Sequence, residues 1–122
     1  MAKEDLFNSY KTNMEEIQQK VNSKLLKKKT IILKNIGHSL VSERTVHAYD
    51  YIGQIYELTE YLKKMEHEAE HLFNFYSLAV TSEGESNVEV GKIRDVVVGK
   101  IQKELNNLVK LKRSITMLER SC

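Results

Sequence analysis

Residues 52–80 read IGQIYELTEYLKKMEHEAEHLFNFYSLAV, and this stretch decides the fold. Ile52, Ile55, Thr59, Leu62, Met65, Ala69, Phe73, Tyr76 and Val80 recur in steps of three and four. That spacing gathers them on one stripe of an α-helix, close to an a/d repeat sustained for about four heptads. Gly53 lowers helix propensity by roughly 1 kcal/mol relative to alanine, too little to break so regular a pattern. Upstream, Ser42 is a good N-cap, and Glu43 in the first turn favours the positive end of the helix dipole. The spacing predicts a helix over about 43–80.

The same period continues on both sides. Phe7, Tyr10, Met14, Ile17, Val21 and Leu25 form a narrow stripe that is interrupted at Lys28 and resumes at Ile32 and Ile36. Gly37 then offers a C-terminal stop, so a first helix is expected over about 3–36. After residue 80, Thr81-Ser-Glu-Gly-Glu-Ser-Asn87 reads as a loop. Inside it, Ser86-Asn87-Val88-Glu89 matches a capping box, in which serine and glutamate satisfy each other's backbone amides. A third helix follows over about 87–119, carried by Ile93, Val97, Ile101, Leu105, Leu108, Leu111, Ile115 and Leu118. Its end is rich in cations (Lys110, Lys112, Arg113, Arg120), which suits the negative end of the dipole.

Composition agrees with an all-α chain. Proline is absent and only five glycines occur in 122 residues, so helix breakers are scarce. Short connections force consecutive helices to run antiparallel. The expected fold is three long amphipathic helices in a single domain over 1–122, as an up-down-up helical bundle or antiparallel coiled coil, and oligomeric. A chain of this size buries only about two-thirds of its unfolded surface, which leaves room for a partner to add stability.

Charge is unevenly spread around a net +2. Residues 1–36 hold eight lysines against four acids, residues 37–80 three bases against seven acids, and residues 81–122 eight bases against six acids. An acidic middle helix between two basic ones suits helix-on-helix packing within or between chains. It suits a nucleic-acid binder less, because such a domain is usually basic throughout. The longest uncharged stretch, Leu72 to Ser82, is far shorter than the ~18–20 residues of a membrane span. The start lacks the apolar run of a secretory signal, and Cys122, the only cysteine, permits no internal disulfide. Cytoplasm or nucleus is therefore expected.

Several residues exceed what a closed bundle needs. Leu26 and Leu33, seven apart, project away from the first stripe, and Val98 and Val109 widen the third. Four tyrosines, Tyr49, Tyr51, Tyr56 and Tyr61, cannot all share one stripe. Leu26, Leu33, Tyr49, Tyr56, Val98 and Val109 are thus expected to form partner-binding surface. Lys28 and Glu104 interrupt otherwise apolar stripes. Each needs either a charged partner, which would fix register, or a path to water.

Two motifs suggest other chemistry. His67-Glu68-Ala69-Glu70-His71 spells H-E-x-x-H, whose histidines at i and i+4 can share a zinc with the glutamate as general base. Both histidines fall opposite the predicted stripe, Glu70 puts a charge where zinc peptidases place uncharged residues, and no third-ligand motif follows. No catalytic, metal or cofactor site is expected. Lys24, Lys27, Lys28 and Lys29 form a basic patch able to contact phosphate. The expected function is a non-enzymatic helical scaffold or adaptor that assembles with itself or within a hetero-oligomeric complex. The alternative is a small nucleic-acid-binding regulator using its basic helix faces.

Overall fold

The computed structural model describes residues 3–41, 49–80 and 87–121, all of them helical: α1 (Lys3–Val41), α2 (Tyr49–Val80) and α3 (Asn87–Ser121). At ~1.5 Å per residue these elements span roughly 60, 50 and 50 Å. The three helices pack against one another, and no strand occurs among the described residues. No helix among them is long and apolar enough to cross a membrane.

The first stripe buries as its spacing requires. Tyr10, Met14, Ile17, Val21, Leu25, Ile32 and Ile36 all enter the core, with Phe7 packed at its edge. The helix does not stop at Gly37 but continues to Val41. Gly37 has no left-handed backbone angle, so it does not form the glycine cap that a stop there would use. Buried Ile32 and Ile36 hold the preceding turns to the core, which outweighs the weak helix propensity of one glycine. The expected cap at Ser42, helix residues 43–48 and the Ser86 half of the capping box lie outside the described residues.

The stripe of α2 is rotated from its expected position over its first half. Tyr51, Ile55, Leu58, Leu62, Met65 and Ala69 are the buried set, again in steps of three and four. Ile52 is 37% exposed, and Thr59 lies at the edge, where its hydroxyl donates to the Ile55 carbonyl at 2.8 Å. Choosing Leu58 and Tyr51 over Thr59 and Ile52 removes more apolar surface from water and leaves the threonine hydroxyl satisfied on its own helix. In α3, Val90, Val97, Val98, Ile101, Leu108 and Ile115 are buried, with Ile93, Leu105, Leu111 and Leu118 half-buried around them. Val98 is therefore a core residue, 5% exposed, and not part of an outward face. Among the described residues, none of the polar or charged ones is fully buried.

The rotated stripe makes a direct prediction. Leu58→Ala should destabilise the protein by about 2–5 kcal/mol, as expected for a fully enclosed leucine. Thr59→Ala and Ile52→Ala should each cost less than half as much. Urea denaturation followed by circular dichroism compares the three.

Candidate interaction surfaces

One cluster joins all three helices. The Tyr10 hydroxyl of α1 donates to the Val90 carbonyl of α3 at 3.0 Å. The Tyr10 ring stacks on Tyr76 of α2, with centroids 5.0 Å apart and planes 24° from parallel. Phe7 meets Tyr76 at 6.1 Å in a tilted arrangement. Beside them, Arg94 of α3 reaches Glu70 of α2 at 2.6 Å and its neighbour Asp95 at 2.9 Å. Its guanidinium carbon stands 5.6 Å from the Phe73 ring centroid. Arg94 thus uses its planar fork and its flat face together. Its Nε is enclosed without a hydrogen-bond partner among the described residues.

Burial pushes the Tyr10 pKa up to about 12 against the opposing pull of Arg94, because a phenolate would be poorly solvated there. Burial raises the Tyr76 pKa as well, with Glu89 adding to the effect. Hydrogen bonds to Asp95 and Glu70 hold the Arg94 guanidinium in its charged form. The spacing of the sequence puts Tyr10 and Tyr76 on the stripes that enter or border the core, but nothing in it marks Arg94. The available signal was a cation beside the third stripe and an acid beside the second, but nothing in the sequence set them level.

The Lys24–Lys29 run divides between two sides of α1. Lys29 turns towards α3 and meets Glu104 at 3.6 Å, so the charge that interrupts the third stripe finds its partner within the chain. Lys24, Lys27 and Lys28, joined by Lys20, line an open groove of about 520 Å³ between α1 and α2, with Glu16, Gln19, Ser23 and Tyr61. The Lys24 ammonium lies 5.0 Å from the Tyr61 ring centroid. The basic surface is therefore Lys20, Lys24, Lys27 and Lys28, and Lys29 is not part of it.

His67 and His71 are exposed, but they lie on the shoulder of α2 next to α1 and not opposite the core. They border a second groove with Asn13, Glu16, Ile17 and Lys20 of α1. Among the described residues, no group of three or more histidine, cysteine or acidic side chains is placed to hold a metal ion.

Of the residues expected to meet a partner, Leu26 is 74% exposed, and Leu33, Tyr56 and Val109 are also exposed. Leu26 and Leu33 flank Lys29, which puts them on the shoulder of α1 beside α3. Val109 borders a shallow depression with Lys112, Arg113, Thr116 and Met117. Tyr49 begins α2, and its side chain lies outside the described residues. Ile31, Phe75, Val88 and Val96 are exposed as well, at positions that the stripe pattern does not mark as surplus.

The raised Tyr10 pKa has a measurable consequence. Folding favours the protonated phenol, so its contribution is complete below pH 10 and is lost as pH rises from about 10 to about 12. The loss should be on the order of 2 kcal/mol. Denaturation midpoints at pH 9 and above should fall less steeply in Tyr10→Phe than in the parent.

No family model matches this chain, and no curated protein or solved structure matches it.

Proposed function

We propose that this protein is a non-enzymatic helical scaffold or adaptor of the cytoplasm or nucleus. In this reading it is an up-down-up bundle that joins copies of itself, or the subunits of a larger complex, through helix-on-helix contacts. The bundle arrangement is supported by the sense of the pairings. Tyr10 with Tyr76 and Lys24 with Tyr61 run in opposite directions along α1 and α2. Tyr10 with Val90 and Lys29 with Glu104 run in the same direction along α1 and α3.

The observation that carries the functional reading is the outward pair Leu26 and Leu33. A continuous apolar core already runs along all three helices, so these two leucines are not needed to close it. A partner helix that covered them would gain roughly 1.5–3 kcal/mol for each side chain fully buried. Seven-residue spacing is the repeat that a facing helix can follow. Tyr56 and Val109 supply further apolar surface on α2 and α3, and tyrosine is favoured at interface cores.

Light scattering coupled to chromatography tests this across a concentration series. The mass should rise above the 14.2 kDa of one chain, and Leu26→Glu with Leu33→Glu should return it to one chain while helicity is retained. If the parent stays at one chain throughout, a partner must still be retained on the immobilised protein in a manner that the double variant abolishes. Failure of both overturns the reading.

A further inference from the structure

The groove between α1 and α2 brings four lysines together with a single acid. Lys20, Lys24, Lys27 and Lys28 line it on one side and Tyr61 on the other, and Glu16 is the only carboxylate among the lining residues. Three other cations on the helices meet acids: Lys29 meets Glu104, Lys63 meets Glu60, and Arg94 meets Glu70. Among the described residues, Lys20, Lys27 and Lys28 form no ion pair, and Lys24 rests on the Tyr61 ring. Lysines three and four apart on a helix are neighbours, so this stripe concentrates like charge on one face of α1.

We infer that this groove binds a compact, multiply charged phosphate group. Among the residues lining the groove, four ammonium groups against one carboxylate leave an excess of three positive charges, offset at the Lys20 end by Glu68 of the adjoining groove. This suits a small ligand with several negative charges held near Lys24, Lys27 and Lys28. Lysine ammonium groups are point charges on flexible stems, which can converge on the oxygens of a phosphate cluster from several directions. A planar carboxylate would be better matched by the fixed fork of arginine, and no arginine lines the groove. The Ser23 and Tyr61 hydroxyls supply neutral donors beside the lysines, and about 520 Å³ is in the range of small-ligand clefts. An extended nucleic acid fits less well, because the basic track is short. It meets Glu16 at one end, Lys29 leaves it for Glu104, and the neighbouring helix carries the acids Glu57, Glu60, Glu66 and Glu68. The same group could reach the site free in solution or on a lipid headgroup. Exposed Ile31, one turn beyond Lys27, would then face the lipid.

The test is a titration of the isotope-labelled full chain with inorganic tripolyphosphate at ~150 mM salt, read by amide shifts, with two charge-removal variants. Saturable shifts should be confined to residues 16–28 and the neighbourhood of Tyr61. Lys24→Gln with Lys27→Gln and Lys28→Gln should weaken binding about tenfold or more, as loss of three contacting cations predicts. Lys110→Gln with Lys112→Gln and Arg113→Gln removes the same charge elsewhere and should leave binding unchanged. Shifts that never saturate, or equal weakening by the two variants, would overturn the assignment. A parallel arm uses phosphatidylcholine vesicles with and without a phosphorylated inositol lipid. Binding that needs the inositol lipid and is stronger than that to tripolyphosphate identifies the headgroup as the source, and preference for the soluble anion identifies the free phosphate.

Discussion

Apolar stripes hold three helices together without saying how far each may slide. The attraction between them is nearly non-directional, and a slip of one heptad, roughly 10 Å, would still set leucine and isoleucine against leucine and valine. The contacts made by Arg94 do not tolerate such a slip. Its guanidinium reaches Glu70 across the α2–α3 boundary and lies on Phe73, one turn from the point where Tyr10 donates to the Val90 carbonyl. Displacing α2 against α3 would part Arg94 from Glu70 and Phe73, though not from its neighbour Asp95, and displacing α1 against α3 would leave the buried Tyr10 hydroxyl without its carbonyl. Arg94 and Glu70 are each about one-third exposed, so their net gain is modest, within about 1 kcal/mol. Their larger effect is the penalty on every other register.

A second ion pair, Lys29 of α1 with Glu104 of α3, lies further along the helices from the Tyr10–Val90 hydrogen bond that joins the same two elements. Between the two contacts the core is apolar, with Met14, Val21, Leu62 and Ile101 almost wholly enclosed, and beyond Lys29 and Glu104 it continues through Ile32 and Leu108. Burial supplies cohesion along this length, while the polar contacts select the alignment. Lys29 leaves the basic face to meet Glu104, which is why only part of the lysine run remains turned towards the α1–α2 groove.

The periodicity of the sequence was enough to find the helices, because a repeat of threes and fours is a property of one element alone. The stripes of α1 and α3 were legible for that reason. The first half of α2 was harder, since Ile52, Thr59, Tyr51 and Leu58 offer two overlapping series one residue apart. Only the space between the neighbouring helices selects between them. Val98 was misplaced for a related reason: a helix packed against two others buries a wider arc than a single stripe, so a residue at its margin faces inward. The partnership of Glu104 with Lys29, the Arg94 cluster and the exchange of Lys29 for Lys20 in the basic surface all depend on which residues stand level on different helices. Sequence spacing within one helix carries no such information.

Arg94 and Glu70 thus act as a pair that holds α2 and α3 in one alignment. A double-mutant cycle of Glu70→Gln and Arg94→Gln, measured by chemical denaturation, tests it most directly. The two substitutions should not be additive, with a coupling of roughly 0.5–1 kcal/mol. Strictly additive losses would mean that the two side chains are independent and that the pair does not set the alignment of α2 and α3.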